Sequence, residues 1–465
     1  MKTFLLSVTT AATAIAGLPS VGPDYQRPDV APPAAYRDAS VSASVTLSPD
    51  WWRTFNDPSL DELETRALAA NQDLRAALAR VEQARAIAGV ARSAYLPSLA
   101  TDPSLTRERT SRTVDNATPD STTTTHRLSL DLTWELDLFG RVRRLNESAR
   151  ADLESAGATF AAARLSLTAE VATTHFTLRA LDRELRIVTD TTAVRRDALK
   201  LVQSRLNNGN ADDLDLARAE TELAATQADA AALAIRRAAA QNALAVLLGE
   251  PAPAVSVTAS ADISDVIPAI PVGLPGDLLT RRPDIAAAER SLAAASARIG
   301  VAKAAFFPSI ALTGAAGYAS ADINDLIKPD SRLWSFGPSI YLPLFQGGRN
   351  KANLARRRAA YNESAAAYRQ SVLVALREVQ DALTASRLLT GQAEAQARAV
   401  TSARRGAQLS QKRYDAGYVS YFEVVDAQRT ALAVERADAQ LAGQRWITHV
   451  ALIKALGGGW QQPTS

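Results

Sequence analysis

The side chains best placed to act on something other than their own fold lie near the end of the chain. Phe422, Glu423, Asp426 and Arg429 follow one another at intervals of one, three and three residues. On a helix this spacing sets the two acids and the arginine along one stripe. If a symmetry axis brought copies of the stripe together, the carboxylates would repel and raise one another's pKa unless arginines compensated. Such a ring would tune both the closure of an opening and its preference for cations. The alternative is a solvated helix face.

Other chemistry lacks its reagents. The chain has no cysteine, which removes disulfides, zinc–thiolate sites and thiol nucleophiles together. Its three histidines, His126, His175 and His449, lie in different segments, so packing or surface roles are expected and not a shared metal site. The run Gly457-Gly458-Gly459 ends a helix and does not follow a strand, so it is no phosphate loop. Charge is balanced, 52 Lys and Arg against 49 Asp and Glu, which leaves no basic field for nucleic acid. No enzyme activity, cofactor, metal or nucleic-acid partner is expected.

The stripe belongs to the second copy of a duplicated unit. Residues 205–248 return as 413–456, with Gly209 to Gly417 and Gly249 to Gly457 both separated by 208 positions. Tyr95-Leu96-Pro97-Ser98-Leu99 is echoed by Phe306-Phe307-Pro308-Ser309-Ile310 at a step of 211. Duplication of this length means tandem structural units. The positions 208 before the stripe hold Leu214, Asp215, Arg218 and Thr221, and Leu206 stands 208 before Tyr414. The acid at Asp426 therefore has no counterpart, and the halves have diverged.

Each half has long helices. No proline occurs between Pro119 and Pro251 or between Pro343 and Pro463, and both stretches are rich in strong helix formers. A helix over 142–207 would be on the order of 100 Å long. Gly209 and Gly417 then supply left-handed caps at hairpin tips from which a second helix returns. Alanine runs such as 238–240 allow close helix approach. Shorter helices are expected over 60–94 and 278–304, and the proline-rich segment 251–275 reads as an extended crossover.

The strands are of an unusual kind. Over 127–138, Leu128, Leu130, Leu132, Trp134, Leu136 and Leu138 alternate with Ser129, Asp131, Thr133, Glu135 and Asp137, a period of two. A second alternating segment runs over 334–344, interrupted by Pro338. Their hairpin partners are expected at 99–109 and 310–318, across the polar loops 110–125 and 319–331. Each strand has about the 9–11 residues that cross a bilayer at a tilt. The soluble alternative is a four-stranded sheet packed on helices. In lipid, four strands leave open edges, and single-chain barrels need about eight, so several chains must share one barrel. Three would give twelve strands; two would give eight, whose lumen side chains normally fill. Lys2, the apolar stretch 4–16 and the small residues Ala14-Ile15-Ala16-Gly17 read as a secretory signal peptide, residues 1–18.

With this layout the chain resembles the TolC-like outer-membrane efflux proteins, in particular the NodT-type branch that works with resistance-nodulation-division pumps. The matching segments are Val21-Gly22-Pro23-Asp24-Tyr25-Gln26-Arg27-Pro28, Trp51-Trp52-Arg53-Thr54-Phe55-Asn56-Asp57-Pro58, Asn71-Gln72-Asp73-Leu74, Arg281-Arg282-Pro283-Asp284-Ile285 and Phe345-Gln346-Gly347-Gly348-Arg349. They span nearly the whole mature chain in a specific order.

The resemblance implies a mainly α chain with a membrane β-barrel: a duplicated unit of two strands plus a long helical hairpin, whose homotrimer forms a 12-stranded β-barrel and a 12-helix α-barrel in the outer membrane and periplasm. On that plan 19–58 is an extended N-terminal segment. Residues 59–97 and 276–308 are short helices of the periplasmic α-barrel, and 98–140 and 309–345 are the barrel hairpins. The long helical hairpins are 141–250 and 346–457, 251–275 crosses the equatorial region, and 458–465 is a tail.

The resemblance further implies a passive exit duct for small molecules in a tripartite pump. Its partners are an inner-membrane resistance-nodulation-division transporter, a periplasmic adaptor and outer-membrane lipid. It aligns a periplasmic gate with Phe422, Glu423, Asp426 and Arg429 and adds Tyr414 as an interhelical tether; the divergence of the halves at Asp426 predicts that the second hairpin moves on opening while the first stays more fixed. The alternatives are an exit channel for protein secretion and a coiled-coil scaffold. Two departures stand out. Where the branch carries a lipid-modified cysteine this chain has Leu18-Pro19, and an arginine some relatives place after the tip glycine is Val419.

Overall fold

The computed structural model describes residues 20–37, 47–111, 113, 122–264 and 266–462; the signal peptide read at 1–18 and most of the loop 110–125 lie outside them. The helices are α1 (Pro58–Ala70), α2 (Gln72–Ser93), α3 (Arg141–Asn207), α4 (Asp213–Leu247), α5 (Leu278–Arg281), α6 (Pro283–Ala304), α7 (Arg349–Asp415) and α8 (Tyr421–Ala455). No described helix is long and apolar enough to cross a membrane. The chain forms two compact units: residues to Asp29 with Arg80–Gly157 and Ala287–Arg369, and Val30–Ala79 with Ala158–Ala286 and Gln370–Ser465.

Two expected helices are each two. The segment 60–94 breaks at Asn71, whose extended backbone ends α1 and whose side chain accepts the Leu74 N–H at 2.9 Å to start α2. The segment 278–304 breaks at Arg282, the residue before Pro283, which proline pushes out of the helical region (φ −98, ψ 122). Asn71 and Arg282 are 211 apart, so the break is part of the duplication.

The first unit carries the strands β1 (Ser98–Thr101), β2 (Ser104–Arg109), β3 (Thr122–Leu136), β4 (Ser309–Ser320) and β5 (Arg332–Tyr341). They form one antiparallel sheet in the order β1-β3-β4-β5, with β2 also on β3. The expected strand 99–109 is therefore interrupted. Asp102-Pro103 breaks it because proline has no N–H for the ladder, yet the register is unbroken, with Thr101 opposite Leu130 and Ser104 opposite Arg127. β3 starts earlier than expected and stops at Leu136, where the Leu138 N–H turns back to the Leu136 carbonyl at 2.8 Å. β5 ends at Tyr341, short of the expected Leu344, with Pro343 two residues on. Pro338 lies inside β5, the outermost strand of this chain's sheet, opposite Leu312.

The faces of the sheet are reversed from those of a soluble protein. Leu128 and Leu130 of β3, and Trp334, Phe336 and Ile340 of β5, are exposed, Trp334 by 81%. Ser129, between the two leucines, is buried and donates to Asp131 at 2.9 Å. A sheet in water hides its apolar face.

Beside the sheet, Asp137 accepts the Val142 and Arg143 N–H groups at 3.0 and 2.9 Å, which starts α3. The N-terminal segment is laced to the helices of this unit. Gly22 has φ +112, and a Cβ there would lie 2.5 Å from Gly300 Cα. Arg144 pairs with Asp24, and the Tyr25 hydroxyl donates to Glu289 at 2.6 Å.

The second unit is built on an aromatic core. Phe176 stacks on Trp446 at 4.7 Å, and Phe55 meets both edge-on. Trp51 and Trp52 are buried beside them, which gives the Trp51-Trp52 segment its role. Asp57 caps α1 through Ser59 and Leu60 and binds buried His175 at 2.7 Å. Burial alone would raise the Asp57 pKa; the His175, Ser59 and Leu60 hydrogen bonds outweigh it and hold the carboxyl far below its usual range. The His449 Nε2 lies 2.5 Å from the Pro268 carbonyl, and burial lowers its pKa. Close helix approach occurs at Gly443, where a Cβ would lie 2.5 Å from Ala180 Cβ.

Candidate gate at the hairpin turns

The two hairpin turns, both in the second unit, are made the same way. At the first, the Gly209 N–H bonds the Leu206 carbonyl and the Asn210 N–H bonds that of Arg205; at the second, Gly417 bonds Tyr414 and Tyr418 bonds Arg413. These are Schellman caps, with φ +74 at Gly209 and +78 at Gly417. Gly249 and Gly457 close α4 and α8 with the same pair of bonds. The returning helices differ. Asp212 accepts the Asp215 N–H at 2.8 Å to cap α4, whereas Ser420, 208 positions later, makes no side-chain cap on α8.

Around the turns, Tyr414, Tyr421, Val424 and Val425 pack against Val202 and Ala219. The Tyr414 ring is 5.5 Å from that of Tyr421, and the Arg205 guanidinium lies 4.3 Å from its centroid. Tyr414 therefore links α7 to α3. Burial, then Tyr414 and Glu222, raises the Tyr421 pKa. Phe422 is exposed, with Arg218 of α4 at 5.4 Å from its centroid.

Phe422, Glu423, Asp426 and Arg429 are all exposed on α8. Arg429 turns to α4, where its Nε donates to Glu222 Oε1 at 2.6 Å. Glu222 also receives Arg195 Nη2 of α3 at 2.8 Å on its other oxygen, while Arg195 Nη1 reaches the Glu222 carbonyl at 2.8 Å and the Thr226 hydroxyl. Glu222 and Arg195 are nearly fully buried, with side chains 6% exposed. Arg195 already neutralises the buried Glu222 carboxylate, and Arg429 reaches its remaining oxygen from the solvent side; as a largely exposed group it adds about 0–1 kcal/mol. Its own pKa is raised mainly by that bond, while burial lowers the Arg195 pKa against the pull of Glu222.

Further along, Arg436 binds Asp229 of α4 at 2.8 Å and Glu184 of α3 at 2.9 Å, and Arg183 of α3 binds Asp438 at 2.8 Å. Sequence reasoning missed these partners. The signal was present: 208 positions from Glu222, Arg429 and Arg436 stand Thr430, Thr221 and Ala228. Charges present in one repeat and absent from the other mark the pairs between them.

The chain matches the outer membrane efflux protein family over residues 63–250 and 274–458. It is 35% identical to the toluene efflux pump outer membrane protein TtgF of Pseudomonas putida over 480 residues, covering 100% of this chain and 98% of the relative. It is 34% identical to the cation efflux system protein CusC of Escherichia coli over 450 residues, covering 95% and 96%. The solved structure of the outer-membrane channel OprN superposes with a TM-score of 0.89 at 34% identity, covering 95% of this chain and 100% of that one. The chain accordingly belongs to the outer membrane efflux protein family, the outer-membrane exit channels of efflux pumps.

Proposed function

We propose that three copies of this chain close a passive duct through the outer membrane, gated where the hairpin turns converge by Tyr414, Phe422, Glu423, Asp426 and Arg429. The observation that carries this is the sheet. Its apolar residues face outward, and among the described strands β1/β2 and β5 each have a hydrogen-bonded neighbour on one side only. Lipid tolerates neither edge, since no water is present to satisfy the backbone. Copies joined edge to edge remove both, and three supply the strands of an open pore where two would supply a filled one.

In the gate, the Arg429–Glu222 and Arg205–Tyr414 contacts hold the second hairpin against the first, and the exposed Glu423 and Asp426 present carboxylates to passing solutes. The uncapped start of α8 makes the second hairpin the one that moves. An inner-membrane resistance-nodulation-division transporter and a periplasmic adaptor deliver the cargo. Relatives of nearly equal identity are named for toluene and for cations, which supports substrate choice by the pump and not by the duct.

The absence of native cysteine makes the test direct. Cysteines placed singly along β1/β2 and paired with cysteines along β5 should cross-link in membranes into a ladder that ends at three chains. A ladder ending at two, or no cross-link from any pair, would refute the assembly.

A further inference from the structure

A cavity of about 570 Å³ lies in the strand-bearing unit, among α2, the start of α3, the end of α6 and the start of α7. That is the size of a small-molecule site, about 300–1,000 Å³. Its walls are aliphatic: Ile87 and Val90 of α2, Leu145 of α3 and Val301 of α6. Ile87 and Val90 are large side chains left exposed on their helix, and Ala302 and Ala305 leave room beside them.

Three guanidiniums reach this cavity, and they differ. Arg141 is held by Glu135 at 2.7 Å, and Arg298 by Asp152. Arg357 has no ion pair among the described residues; the charges acting on it are those of Arg356 and Arg298, both cationic. Burial first, then those two neighbours, pulls its pKa down. A half-buried guanidinium without a counter-ion beside apolar walls gains most from an anion that brings its own apolar body, because the fork of donors matches an acid group and the walls take up the remainder.

The geometry points to this cavity as a binding site for amphipathic organic anions, aryl carboxylates or sulfonates of about naphthalene size, with the acid group on Arg357 and the ring between Ile87, Val90 and Val301. This goes beyond the gated duct and does not depend on it, since binding is read without transport.

The test is calorimetric titration of the purified full chain in amphipol with 2-naphthalenesulfonate and, separately, neutral 2-naphthol. The sulfonate should saturate at one per chain. Arg357→Gln should weaken it at least tenfold and leave 2-naphthol unchanged, while Arg358→Gln on the exposed side should alter neither. Ala302→Trp, or Val301→Phe if the first fails to fold, should remove both ligands by filling the cavity. Non-saturable binding to the wild type, including that caused by a neighbouring copy covering the cavity, would overturn the assignment. So would equal affinity in Arg357→Gln, or binding that survives the filled cavity.

Discussion

Arg429 of α8 and Glu222 of α4 are joined at 2.6 Å across 207 positions of sequence, and one heptad on, Arg436 and Asp229 are joined at 2.8 Å across the same separation. The two helices thus run in parallel with a fixed register, arginines on one facing acids on the other. A second repeat that had kept the residues of the first would have set Glu222 against a threonine and Asp229 against an alanine. Divergence between the repeats has supplied the cations, and this is what ties the second hairpin to the first.

The triad should be unequal in its costs. Glu222→Gln leaves Arg195 buried without a counter-charge and is expected to destabilise by about 3–5 kcal/mol. Arg429→Ala removes an arginine whose side chain is 58% exposed and leaves Glu222 with Arg195, so about 1 kcal/mol or less is expected. Thermal denaturation of the two variants, and of the double variant, would decide; equal losses would mean that Arg429 and not Arg195 anchors the carboxylate.

Glu64 of α1 should make the protein less stable as pH rises. It is fully buried, neither carboxyl oxygen has a protein hydrogen-bond partner, and burial, reinforced by Asp61 and opposed by Arg164, pushes its pKa up to about 9. The folded chain keeps a proton that the unfolded chain releases near pH 4.5. Stability is therefore fully present below that value, declines as pH climbs towards 9, and levels off above. Glu64→Gln keeps the shape without the titration. Its Tm should exceed that of the wild type by more at pH 8 than at pH 5; an equal difference at both would contradict the buried proton.

The four cap glycines should also differ. Space around Gly417 is open, so Gly417→Ala costs only the left-handed backbone, about 1–2 kcal/mol. At Gly457, with φ +96, a Cβ would lie 2.1 Å from the Arg281 carbonyl oxygen. Gly457→Ala should lower the Tm well beyond Gly417→Ala, and similar shifts would show that the Arg281 segment yields freely.

Substitutions on the outward face of β5 should act only in lipid. Phe336→Arg puts a charge where an apolar ring is exposed, at a cost of up to about 2–4 kcal/mol near a bilayer midplane. Folding yield into vesicles should fall, while Ser335→Arg on the other face should be tolerated. The reverse order would mean the faces are assigned the wrong way round.

Periodicity carried most of the architecture. Alternation over 128–136 specified the strand, with reversed faces at Leu128, Ser129 and Leu130, and proline-free alanine-rich stretches specified the 67-residue helices α3 and α7. The breaks at Asn71, Pro103 and Arg282 are not legible from periodicity, since a helix or strand pattern continues past a single interruption. The site was less legible. Glu423, Asp426 and Arg429 share a stripe by spacing, yet where a side chain turns depends on what a neighbouring helix offers. Glu222, buried with Arg195 on one oxygen and the other open to a second cation, lies 207 residues away. Tyr414 could be placed by resemblance, but its contact with Arg205 needed coordinates.

The most direct measurement is single-channel conductance in planar bilayers for the wild type and for Arg429→Ala. The wild type should open in brief, small steps, and the variant, with the second hairpin released from Glu222, in steps several-fold larger. Identical steps from both proteins, or no conductance from either, would contradict a duct held shut at its hairpin turns.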